Sequence, residues 1–169
     1  MFVFILQILV SVLFFVNKVL WLIGKKTGWL LGAIAAAIAV FYFYLVGLYV
    51  FTVFEIGLIG LMLYGLFAGN KKNQTVENLI NISTVLIMSA LAYFAFSGLL
   101  TIYELISSTG LLFGTYLLSH EKFRFGWIVH FFAHMVASYM AYLKGQDIYA
   151  LFQFASVFVA AAGISLNKK

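Results

Sequence analysis
A chain of 169 residues that is 65% apolar and only 9% charged is not a soluble domain, in which about a quarter of residues carry charge. Its composition is that of an integral membrane protein. With no cysteine and no proline, disulfides and thiol chemistry are excluded, and any helix break must rest on glycine or a polar group. The net charge of +5 is spread over short loops, where it reads as a topology signal and not as a nucleic-acid footprint.

A membrane span takes roughly 20 mostly apolar residues, and seven such stretches are expected. The first covers residues 2–23 and ends at Gly24-Lys25-Lys26. It opens Met1-Phe2-Val3-Phe4, without a basic leader or a small-residue cleavage site, so a first helix is expected and not a signal peptide. The apolar run from Gly28 to Ala68 is about twice the length of one span and splits at Val46-Gly47 into spans two and three. A polar segment follows, Gly69-Asn70-Lys71-Lys72-Asn73-Gln74-Thr75. Span four is 78–96, Ser97-Gly98 is a tight connection, and span five is 99–119. After the charged loop His120-Glu121-Lys122-Phe123-Arg124 comes span six, 125–143. The turn Lys144-Gly145-Gln146-Asp147 leads into span seven, 148–166, and Lys168-Lys169 closes the chain.

This layout sorts the charges. Lys25, Lys26, Lys71, Lys72, Lys122, Arg124, Lys168 and Lys169 fall on one side, and Lys144 with Asp147 on the other. The positive-inside rule makes the first side cytoplasmic, with the N-terminus outside and the C-terminus inside.

The chain also repeats itself. At an offset of 98 positions Gly28-Trp29 meets Gly126-Trp127, and Tyr44-Leu45 meets Tyr142-Leu143. Gly47 meets Gly145, Phe54 meets Phe152, and Gly65 meets Gly163. Glu55 meets Gln153, one polar group answering another inside a span. An internal duplication is expected, which is a hallmark of transporters. Residues 1–68 form a first three-helix repeat, 69–98 a loop and linker helix, and 99–169 a second three-helix repeat. One linking helix makes the repeats parallel, so the fold class expected is an all-α membrane protein of 3+1+3 spans with its substrate path between the repeats.

Ionisable groups inside a bilayer are expensive and are functional candidates by default. Glu55 lies about a third of the way into span three; a structural interhelical hydrogen bond is the competing account. His130 and His134 are four apart and share one face of span six, with Trp127 one turn before. That face reads as a cavity wall or as an interhelical hydrogen-bonding surface. A metal site would need further ligands, and three histidines without cysteine supply few. Asn17 and Lys18 read as packing or interface residues, and Glu104 as a snorkelling carboxylate. Phosphate-loop, nucleophile-elbow and paired-carboxylate motifs are absent, so no enzymatic activity and no cofactor are expected.

The pattern of Gly28-x-x-x-Gly32, a long apolar helix, Leu48-Tyr49, Glu55 and Tyr64-Gly65 resembles the first repeat of the PnuC vitamin transporters. The spacing Trp127, Gly145, Gly163 is similar to that family's last two helices. The likeness runs from about Val16 onward. It implies a bacterial inner-membrane carrier of SWEET-like architecture, a homotrimer that moves nicotinamide riboside by facilitated diffusion while a cytoplasmic kinase traps the product. The substrate site expected in this chain is drawn from Glu55, Tyr64, Trp127, His130, His134 and Gln153. Four departures stand out: Glu55 where the family has glutamine, His130 for a tryptophan, His134 for an asparagine, and Leu66-Phe67 after Tyr64-Gly65 where the family has aromatic residues including tryptophan. A carboxylate beside aromatic walls suits a cationic ring, which leaves thiamine, riboflavin or deoxynucleosides open as solutes. A non-transporting membrane subunit and a proton-coupled carrier using Glu55 with His130 or His134 are the competing functions.

Overall fold
The computed structural model describes residues 1–67 and 74–167. Among them the chain forms seven α-helices: α1 Phe2–Leu22, α2 Thr27–Leu45, α3 Tyr49–Phe67, α4 Gln74–Phe96, α5 Ile102–Ser119, α6 Phe123–Leu143 and α7 Asp147–Leu166. Each lies where a span is expected. Most of the polar segment 69–75, the domain boundary at 68, and Lys71, Lys72, Lys168 and Lys169 of the charge sorting lie outside the described residues.

Five helices, α1 to α4 and α7, are long and apolar enough to cross a membrane. The other two are diluted by polar groups. Helix α5 carries Glu104, Ser107, Ser108 and Thr115, and α6 carries Arg124, His130 and His134. Most of these side chains are buried, so they lower the helix's average without meeting lipid.

Glycine replaces proline as the helix stop. Helix α2 ends at Gly47 (φ 74°) and α6 at Gly145 (φ 67°), in the left-handed region that glycine enters freely. At α2 the Leu48 N–H donates to the Phe43 carbonyl at 2.8 Å, and the Gly47 N–H to Tyr44 at 3.1 Å. At α6 the Gln146 N–H donates to Ala141 at 2.9 Å, and the Gly145 N–H to Tyr142 at 3.0 Å. These paired bonds close off the last carbonyls of each helix. Helix α5 ends by the same bonding, Lys122 to Leu117 at 2.9 Å and Glu121 to Leu118 at 3.1 Å. There a glutamate occupies the left-handed position, with φ 62°.

Six helices make a closed ring. Helix α1 packs on α2, α2 on α3, α3 on α5, α5 on α6, α6 on α7, and α7 back on α1. Helix α4 stands outside, against α3 and α5. The α1–α2 turn, Gly65 and the start of α6 meet at one end of the ring. The α2–α3 and α4–α5 turns meet at the other. There Glu104 also pairs with Lys144 of the α6–α7 turn.

The packing is inverted relative to a soluble domain. Phe41, Tyr44, Val85, Leu86 and Phe96 are exposed, whereas Ser11, Ser107, Thr115 and Ser156 are buried. Lipid supplies no hydrophobic drive between helices, so small residues and hydrogen bonds bring them together. Ala33, Ala35, Ala36 and Ala39 give α2 a flat buried face. The buried hydroxyls bond back to their own helix, as Thr115 does to the Leu111 carbonyl at 2.8 Å and Ser156 to Phe152 at 2.8 Å. Two of the close approaches set an indole on a glycine. A Cβ on Gly65 would run into the Trp29 ring, and one on Gly163 into the Trp127 ring.

Candidate functional site
A cavity lies inside the ring, with five helices supplying its wall at helical spacing. Helix α1 gives Asn17, Lys18 and Trp21, α3 gives Phe54, Glu55, Leu58 and Met62, and α5 gives Leu111 and Thr115. Helix α6 gives His130 and His134, and α7 gives Tyr149 and Gln153. Helix α2 contributes no wall but sets the width: Gly32 lies against Met62 and Asn17, and a Cβ there would clash with both. The space between these side chains is small, about 30 Å³, enough for a water or two and too tight for a ring.

The hydrogen bonds fix the polarity of the wall. The amide orientation assigned to Gln153 makes its Oε1 an acceptor, so His134 donates its Nδ1–H to it at 2.6 Å. The His134 Nε2 then keeps a lone pair, and it is buried without a partner. The Thr115 hydroxyl donates to Leu111, so its oxygen accepts from the His130 Nε2–H at 3.5 Å, a long contact. The His130 Nδ1 is likewise left bare. The two imidazoles stack with centroids 5.2 Å apart. Asn17 donates through Nδ2 to the Gly28 carbonyl at 2.8 Å, while its Oδ1 has no partner. Glu55 Oε2 and the Trp21 Nε1–H are also unpartnered. Such groups are expensive where no bulk water reaches them.

Lys18 and Glu55 are the charged members of the wall, and each lies within electrostatic reach of the other. The Lys18 ammonium sits 5.6 Å from the centre of the Phe14 ring. Among the described residues no group of three or more His, Cys, Asp or Glu side chains is gathered closely enough for a metal ion.

Of the residues singled out in the sequence, Glu55, His130, His134 and Gln153 come together on this wall. Trp127 and Tyr64 do not. The Trp127 indole is turned onto Gly163, with its centroid 6.0 Å from His130. It faces a second hollow at the ring's end, shared with Lys25, Lys26 and Trp29. Tyr64 lies against His120 at 5.2 Å. His120 in turn rests on Tyr116 at 4.1 Å, whose hydroxyl donates to Asn81 of α4 at 2.9 Å. Tyr64 thus belongs to a packing chain across α3, α5 and α4. Glu104 does not snorkel: it closes a capping box with Thr101 and pairs with Lys144.

Asn17 and Lys18, read from sequence as packing residues, are wall residues instead. Trp21 was not singled out at all, and it borders both the central cavity and the end hollow. The available signal was spacing: Asn17, Lys18 and Trp21 lie within about one helical turn on a helix otherwise apolar nearby. No protein-family model, curated protein or solved structure matches this chain.

Proposed function
We propose that this protein is a membrane carrier, a facilitator for a vitamin or nucleoside-like solute such as nicotinamide riboside. The observation that carries the reading is a polar cavity at the centre of an apolar helical ring, walled by α1 and α3 on one side and α5, α6 and α7 on the other. Carriers place their substrate sites between repeats in this way. The proposal includes two parallel three-helix repeats joined by α4. Two details support it. The α1–α7 contact becomes the α5–α3 contact when the repeats are exchanged, and the Trp29–Gly65 contact becomes Trp127–Gly163.

The resemblance to PnuC carriers supplies the rest: a bacterial inner membrane, an external N-terminus, a cytoplasmic C-terminus, a homotrimer, and a cytoplasmic kinase that traps the solute. The test is uptake of labelled nicotinamide riboside, thiamine and nucleosides into proteoliposomes holding the purified protein. Saturable uptake of one of them is expected. No uptake of any points to a non-transporting membrane subunit, and uptake that collapses with the pH gradient points to a proton-coupled carrier.

A further inference from the structure
On the reading of the cavity as a carrier's substrate site, its charge and hydrogen-bonding capacity narrow the class of solute. Glu55 alone suits a cation. Glu55 is not alone, because Lys18 enters the same cavity from α1. Both are almost wholly buried, at 2% and 6% exposure. They influence each other electrostatically but form no contact ion pair; among the described residues that role belongs to Glu104 and Lys144. Each therefore keeps its polar end free for a guest. With both imidazoles neutral in the tautomers their partners assign, Lys18 and Glu55 together carry no net charge, whichever of the two holds the proton between them. A cation entering this space gains from Glu55 and loses to Lys18, and it sheds its hydration on the way.

Hydrogen bonding points the same way. Asn17 Oδ1, Glu55 Oε2, His130 Nδ1 and His134 Nε2 are four buried acceptors without a partner. Against them the wall offers the unpartnered Trp21 Nε1–H and the Lys18 ammonium. The complement is a guest with more donors than acceptors to spare, held by lone pairs and not by net charge.

We propose that the central cavity, once its helices part to widen it, takes an uncharged, donor-rich solute of nucleoside size, its hydroxyl and amide hydrogens meeting these acceptors, and that Lys18 is the specificity-determining residue that turns cations away. This narrows the carrier reading from vitamin cations to neutral nucleoside-like solutes. The Lys18 ammonium would serve one ring or hydroxyl oxygen of the guest, and Trp21 a second.

Nicotinamide riboside and its dihydro form make a suitable probe pair. They share ribose and carboxamide, but the first carries a pyridinium charge and the second none. Binding of each to the purified protein in nanodiscs is measured by isothermal titration calorimetry. The wild type is expected to bind the dihydro form at least tenfold more tightly. Lys18→Met removes the opposing charge and should shift that ratio at least tenfold toward the cation. Glu55→Gln should shift it the other way. Lys18→Gln, which keeps a polar group, serves if the methionine variant does not fold. A wild type that binds the cation as tightly as the neutral form overturns the proposal. So does a ratio that stays fixed in both folded Lys18 variants. If neither riboside binds, the proposal also falls, while the carrier reading is decided separately by the proteoliposome uptake.

Discussion

The two indole-on-glycine contacts permit a quantitative test of the packing. In Gly163→Ala the new methyl meets three atoms of the Trp127 ring. Trp127 is only 2% exposed and His130 stands beside it, so the ring can yield only toward the hollow at the ring's end. Overpacking a tight site costs about 1–3 kcal/mol, and a rigid neighbour places this case near the top of that range. For a chain of this length about 1 kcal/mol lowers the melting temperature by roughly 2–4 °C, so a drop of about 5–10 °C is expected. Gly65→Ala meets Trp29 in the same manner, but Trp29 is only half-buried at the ring's end, so about 1 kcal/mol is expected. The pair Gly163→Ala with Trp127→Phe should lose less than the sum of the single changes, by about 1 kcal/mol or more. Thermal melting of the detergent-solubilised variants, followed by tryptophan fluorescence and by loss of the monodisperse peak, measures all four. A Gly163→Ala protein that melts with the wild type, or a double variant whose losses simply add, would refute the contact.

Three other outcomes are expected. Glu121→Gly relieves a side chain from the left-handed region and should stabilise the protein by about 0.5–1 kcal/mol, read as a raised melting temperature; a lower one would mean that the Glu121 side chain contributes more than its backbone loses. Lys144→Met leaves the buried Glu104 carboxylate with only its Thr101 bonds. This should destabilise by about 1–3 kcal/mol, an effect that Glu104→Gln in the same protein should largely cancel and that would not cancel if the pair were idle. The chain has no cysteine, so a Thr115→Cys probe in the central cavity can be labelled without background. Adding Trp21→Ala, which removes the side chain shared by cavity and end hollow, should raise its rate of labelling by a small maleimide about tenfold or more, equivalent to roughly 1.4 kcal/mol; an unchanged rate would remove Trp21 as the barrier.

The helices were legible because apolar runs of membrane length have few alternatives, and the ends of α1, α2, α4 and α6 because glycine stops them in a chain without proline; α5, stopped at Glu121, carries no such mark. Glu55, His130, His134 and Gln153 stood out because polar groups inside apolar spans need a reason. Lys18 did not, since a lysine near a span's end can snorkel; only the closure of α1 onto α7 turns it inward. Trp127 shares the histidines' stripe, as the spacing says, yet Gly163 opposite it leaves a slot that takes the indole away from the cavity. Spacing along one helix cannot reveal a slot on another. Tyr64 fails for the same reason, because its partner His120 lies in a loop 56 positions later. The swap of neighbours that makes α1 meet α7 and α3 meet α5 is a property of assembly, and no local pattern encodes it.

The position of α4 has a mechanical consequence. The ring has two seams between α1–α3 and α5–α7, and α4 lies across one of them, touching both α3 and α5. Among the described residues the α1–α7 seam has no such strap. A clasp fastened on one side hinges there and parts on the other, so on the carrier reading proposed above the α1–α7 edge is the one that would spread. Lys18 and Gln153 line the cavity from the two helices of that edge, and Trp21 stands at its end. Spreading it would widen the narrow space at the centre of the ring, while Glu55 and Thr115, on the strapped helices, would stay in register.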